Sequence, residues 1–106
     1  MKNKIIVRKM LGYCEKIQDY VKGFNHDKFM SSTMVIEASV FNLLQMGELI
    51  TNMDKEFIED NSQIPWKSIR GLRHKLVHDY EGVNLDLVWD IITNDLPELQ
   101  VLLKEL

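Results

Sequence analysis

The chain has 106 residues, 45% of them hydrophobic and 27% charged, with a net charge of −3. That length holds one domain over residues 1–106 and no second core, and the balance of apolar and charged residues excludes a disordered chain. Cys14 is the only cysteine, which excludes an internal disulfide and a cysteine-rich metal centre. A domain this short buries only about 60–65% of its unfolded surface and gains from a partner.

The apolar spacing is helical nearly throughout, punctuated by two prolines and five glycines. Ile6, Met10, Tyr13, Ile17 and Phe24 recur at helical steps, so the first helix is expected from about Lys2 to Lys22, stopped by Gly23 and Asn25. No apolar run and cleavage site follow the basic start, so no signal peptide is read and a cytoplasmic protein is expected. His26 and Asp27 fall in the loop that follows, where the histidine is expected to be solvated.

A second helix is expected from Ser31 or Ser32, as N-cap, to about Asn52. It is apolar on most of its circumference, with Val35, Ala38, Phe41 and Leu44 on one side and Met34, Ile36, Val40, Leu43, Met46 and Ile50 on the other. Such a helix needs burial on two sides, which in a small domain predicts a homodimer. The interruptions Glu37, Ser39, Asn42, Gln45 and Glu48 make it too polar for a membrane span. The methionines around it read as adaptable packing.

Asp54 to Asp60 reads as a short helix, and Pro65 suits the first turn of the next, expected from Trp66 to His78 or Tyr80. Gly82 breaks it, and Asn84 or Asp86 can cap a last helix in which Pro97 should produce a kink or a division. No strand alternation is visible. The expected fold is all-α, an up-and-down bundle of four to five helices.

The chemistry-bearing residues gather in the fourth of these segments. From Asn61 to His78 there is no acidic residue, yet Lys67, Arg70, Arg73 and Lys75 all fall there; setting those four aside leaves the rest of the chain at −7. A local basic patch on an acidic body suits a phosphate held at one site, and a solvated helix face is the bland alternative. On an unbroken helix at about 100° per residue, Arg70, Arg73, His74, His78 and Tyr80 share an arc beside an apolar stripe of Ile69, Leu72 and Leu76. Tyr80 lies within about 20° of Arg73, whereas His78 is about 140° away. Cleavage of RNA by its own 2′-hydroxyl needs a group titrating near neutrality and a fixed cation; histidine and arginine supply them. The divergence of Arg73 and His78 requires a loosened helix end, a second subunit, or both. Gly71, with no side chain, permits close helix–helix approach there.

Arg73, four residues, His78, one residue and Tyr80 reproduce the Arg-x4-His-x-Tyr motif, and on them the chain resembles the HepT-like toxin family of the HEPN superfamily. The resemblance covers most of the chain: Gln45-Met46-Gly47-Glu48, Ile64-Pro65-Trp66 with Ile69-x-Gly-Leu-Arg73, and Val83 to Leu99 are similar to the family's signatures in order. The departure is His74, where many members have asparagine. The resemblance implies a metal-independent endoribonuclease toxin of a type VII-like toxin–antitoxin pair, with no cofactor and an RNA substrate cut at a homodimer interface. No DNA or membrane partner is expected. Arg73 would bind and activate the scissile phosphate and His78 would move protons, with His74 sharing or orienting that transfer. Tyr80 would receive AMP from an MntA-type nucleotidyltransferase antitoxin. Arg70 and Lys67 read as phosphate-positioning or surface charges, and Glu48 either as a buried contact to the arc or as a dimer rim residue. Two competing readings are a zinc pair His74–His78 at i, i+4, disfavoured by Lys75 between them, and a non-catalytic helical adaptor of the nucleotidyltransferase.

Overall fold

A computed structural model of the chain describes residues 1–78 and 82–106, with Val77 and His78 described by their backbone alone. Among the described residues the secondary structure is helical apart from one two-residue ladder, as the apolar periodicity requires. Helix α1 spans Lys2–Tyr20 and buries Ile6, Val7, Met10, Cys14 and Ile17 along one stripe. Gly23 ends the run at φ +78°, a backbone angle that costs glycine little. A short helix α2, His26–Met30, follows where a loop was expected. Asn25 caps it by accepting from the Lys28 backbone N–H at 2.9 Å, and Phe29 buries its ring fully.

Helix α3, Thr33–Ile50, is the central element and packs chiefly on α1. Ser32 stands at its N-cap position, but its hydroxyl donates to the Lys28 carbonyl at 2.7 Å and does not cap α3. The short α4 is Lys55–Asp60. Lys2 and Asn3 tie the first turn of α1 to Asp54 through contacts of 2.9 and 3.1 Å, and those partners hold the Asp54 carboxyl below its ordinary value, the hydrogen bond from Lys2 foremost.

The expected single helix from Trp66 onward is three pieces. Helix α5 is Trp66–Arg70, helix α6 is Leu72–Leu76 with a break at Gly71, and Val77–His78 leaves the helix as strand β1. Strand β1 pairs antiparallel with β2, Gly82–Val83, placing His78 opposite Gly82 and Val77 opposite Val83. The Asn84 N–H donates to the Leu76 carbonyl at 2.9 Å, joining the end of α6 to the start of the last helical run.

That run is α7, Leu85–Asp90, a π-helical turn over Ile91–Asp95, and α8, Leu96–Lys104. Asn84 caps α7, accepting from the Leu87 N–H at 3.2 Å, which confirms the first of the two candidate caps. The division expected at Pro97 falls just ahead of it. Proline offers no N–H to the carbonyl four residues back and crowds it, so the ladder widens to i+5 spacing before α8 begins with Pro97 in its first turn.

The core is one cluster formed from α1, Phe29 of α2, α3, α5, α6, α7, the π turn and α8. Two contacts define how its layers meet. A β-carbon added to Gly47 of α3 would lie 2.8 Å from the Ile69 carbonyl oxygen of α5, closer than real β-carbons come, so α3 and α5 touch backbone to backbone. Cys14 is fully buried at the α1 stripe, and burial pushes its thiol pKa up to about 12, with Glu15 adding to the rise.

Gly47→Ala should therefore destabilise the fold by about 1–3 kcal/mol through overpacking, outweighing alanine's better helix propensity. Chemical denaturation checks it, and an unchanged midpoint would show that α5 yields without cost. The Cys14 thiol should resist iodoacetamide at pH 8 in the folded chain and react once guanidinium unfolds it. Its neutral form favours the fold below pH 9.0, the ordinary value, and that contribution is lost as pH climbs toward about 12.

Candidate functional site

The basic segment is built outward from Trp66. The indole Nε1 donates to the Asn61 carbonyl at 3.0 Å, the ring packs against Phe57 at 6.4 Å between centroids, and the Trp66 N–H donates across Pro65 to the Ile64 carbonyl at 2.8 Å. These contacts fix the start of α5. Ile69 then sits against Gly47, with the Arg70 Cα also within van der Waals reach of a β-carbon at that position. Leu72 and Leu76 carry α6 into the core.

Everything cationic on α5 and α6 faces outward: Lys67, Arg70, Arg73, His74 and Lys75 are all exposed. On an unbroken helix Arg73 would fall between the directions of Trp66 and Ile69, both of which are buried. Arg73 is nevertheless exposed, two residues beyond the interruption at Gly71. Among the described residues, no carboxylate lies within ion-pair distance of these five side chains.

The end of α6 alters the relation between Arg73 and His78 expected from the helical wheel. His78 belongs to β1, so its wide angular separation from Arg73 on a continuous helix does not apply. The side chain of His78 lies outside the described set, and Tyr80 lies outside the described residues. The zinc pairing of His74 with His78 depends on that same side chain. Glu48 is exposed, which removes the buried-contact reading of it within one protomer.

Beside the basic segment runs a cavity of about 320 Å³. Leu43, Met46, Ile69, Leu72, Ile91 and Leu99 form its apolar floor. Its two rims differ in charge: Lys75 and Ser68 stand on the α5–α6 side, Asp95 and Glu98 on the side of the π turn and α8.

Two features escaped the reading of the sequence. His26 is exposed as expected, but it stands in α2 and not in a loop, and it has partners. Its Nε2 contacts Asp86 Oδ1 at 2.9 Å, its Nδ1 lies 3.8 Å from Asp27 Oδ1, and its ring meets Trp89 edge-on at 6.5 Å, so it clasps α2 to α7. The only signal for this was the pairing of one histidine with distant carboxylates, which carries no spacing rule. Gly47 was noted as part of a motif, and its packing role depends on α5, which no local pattern places opposite it.

A helical bundle with an exposed cationic segment leading into a two-residue antiparallel strand pair is the class that fold and site define. Residues 10–106 match the model of the family described as "Ribonuclease HepT-like", and the chain belongs to that family. It is 39% identical over 97 residues to a protein of Caldanaerobacter subterraneus named "Putative RNase", covering 92% of this chain and 87% of the relative. A Methanocaldococcus jannaschii protein of the same description is 32% identical over 94 residues, covering 85% and 78% of the two chains. A Thermococcus cleftensis protein named "Probable ribonuclease HepT" is 27% identical over 86 residues, covering 81% and 78%. No solved structure matches the chain.

Proposed function

We propose that the chain is a metal-independent endoribonuclease toxin that cuts RNA through Arg73 and His78. The observation that carries this is the exposure of Arg73 in the first turn of α6, within a family of HepT-like ribonucleases, four residues before the strand that bears His78. In the reaction the ribose 2′-oxygen attacks the adjacent phosphorus and the bond from phosphorus to the 5′-oxygen breaks. His78 moves the protons, a role suited to imidazole near neutral pH. Arg73 holds the phosphate oxygens as negative charge builds on them, its planar fork matching two oxygens at once. His74, exposed one position beyond Arg73, would share or orient the proton transfer.

Two copies complete the working unit in this reading. Met34 and Phe41 lie seven residues apart on α3 and are 83% and 60% exposed, apolar surface that a second protomer would cover. Glu48, exposed one further heptad along, then stands at the rim of that interface. The antitoxin partner is an MntA-type nucleotidyltransferase that transfers AMP from ATP to the Tyr80 hydroxyl, with pyrophosphate leaving. A bulky anion beside Arg73 would compete with the substrate phosphate for the same cation.

Purified chain should cleave RNA in EDTA, and cleavage should disappear after AMP transfer. His78→Ala or Arg73→Ala should lower the rate by about 100-fold or more while circular dichroism stays unchanged. Cleavage by His78→Ala at the original rate would sink the nuclease reading, and toxicity retained by both variants would favour the adaptor. In sedimentation, Phe41→Asp should shift a dimer to monomer; an unshifted dimer places the interface elsewhere.

A further inference from the structure

We infer that Lys67 and Arg70 form a positioning track for single-stranded RNA, gripping the phosphates that flank the scissile one on the α5 side; the inference rests on the ribonuclease reading above. Lys67, Arg70 and His74 stand at i, i+3 and i+7, and the Gly71 N–H bonded to the Lys67 carbonyl at 3.0 Å and the Lys75 N–H bonded to the Gly71 carbonyl at 3.2 Å carry the helical path across the break. The three side chains therefore follow one exposed ridge that leads to Arg73. From Lys67 to Arg73 the rise is about 9 Å at ~1.5 Å per residue. That length suits two consecutive phosphates of one strand.

Three further observations give the track its direction and its substrate class. The backbone beneath Arg70 is pinned, because Ile69 and Arg70 meet Gly47 without an intervening side chain. Trp66, one residue before Lys67, is held by its bond to Asn61. A cation on so fixed a backbone can register a strand with little loss of entropy on binding. Asp95 and Glu98 line the neighbouring cavity on the Ser68–Lys75 flank of the segment, a flank that includes neither Lys67 nor Arg70, and two carboxylates there repel a polyanion. The strand is thereby confined to the Lys67–Arg70 side. A duplex presents two charged backbones over a wider face, and the acidic rim opposes the second of them.

The test is binding of an eight-nucleotide 2′-O-methyl RNA, which keeps every phosphate and cannot be cut at its own 2′-oxygen, followed by fluorescence anisotropy over a range of salt. The affinity of the unsubstituted chain should fall with salt. Lys67→Ala and Arg70→Ala should each lower the steepness of log K against log salt by about 0.7, and the double variant by about 1.4. Lys9→Ala and Lys55→Ala, cations on α1 and α4, should leave it unchanged. An unaltered slope in the double variant, a chain that shows no salt-dependent binding, or preference for a duplex of the same length overturns the track. Cleavage of the unmodified oligonucleotide is scored separately: a chain that binds with these slopes and does not cut keeps the track and loses the nuclease assignment.

Discussion

The contact on which the rest of the structure depends is the backbone approach of α3 to α5 at Gly47. A glycine there lets a carbonyl oxygen occupy the space a β-carbon would take, so the central helix and the cationic segment lie closer than side chains would permit. The consequence runs in both directions along α5. Toward its start, Trp66 and Ile64 reach the core; toward its end, Leu72 and Leu76 do. The apolar residues of α5 and α6 are thereby committed inward, and every charged residue between them is left outside. The charge of the site follows from the geometry of its packing.

Against that fixed segment, the remaining helices solve a problem of phase. The helix is interrupted at Gly71, Arg73 is exposed just beyond it, and β1 then takes His78 off the helix altogether. Arg73 and His78, spaced as though on one helix, are thus distributed over a helix and a strand. The angular separation read from a straight helix therefore does not apply to these two positions.

Much of this was legible in the sequence, for reasons that can be named. Helices α1 and α3 are long and periodic, Gly23 and Asn84 are strong local punctuation, and the acid-free stretch before Asp79 announced an exposed cationic surface. What escaped reading shares one property: it depends on contacts distant in sequence or too short to show a period. Helix α2 has five residues and takes its stability from Phe29 in the core and from the His26–Asp86 clasp to α7. The ladder of β1 and β2 has two residues a side, too few to alternate. The break at Gly71 is invisible to a wheel because Leu72 and Leu76 continue the apolar stripe on either model of the helix.

The π turn has a bearing on how the last helical run can change over time. A five-residue turn is what remains when one residue is inserted into an α-helix and the chain absorbs it without unfolding, and here it lets neighbouring Ile91 and Ile92 both point inward. Helices α7 and α8 are therefore rotated relative to one another by about 100° compared with an unbroken helix. That single residue sets which side of α8 meets α1, through Leu96, Leu99 and Leu103, and which side leaves Asp95 and Glu98 at the cavity rim. Loss of one residue there would restore an ideal helix and carry the acidic wall away from its place. A local irregularity in the hydrogen-bond ladder thus maintains the polarity of the cavity rim beside it.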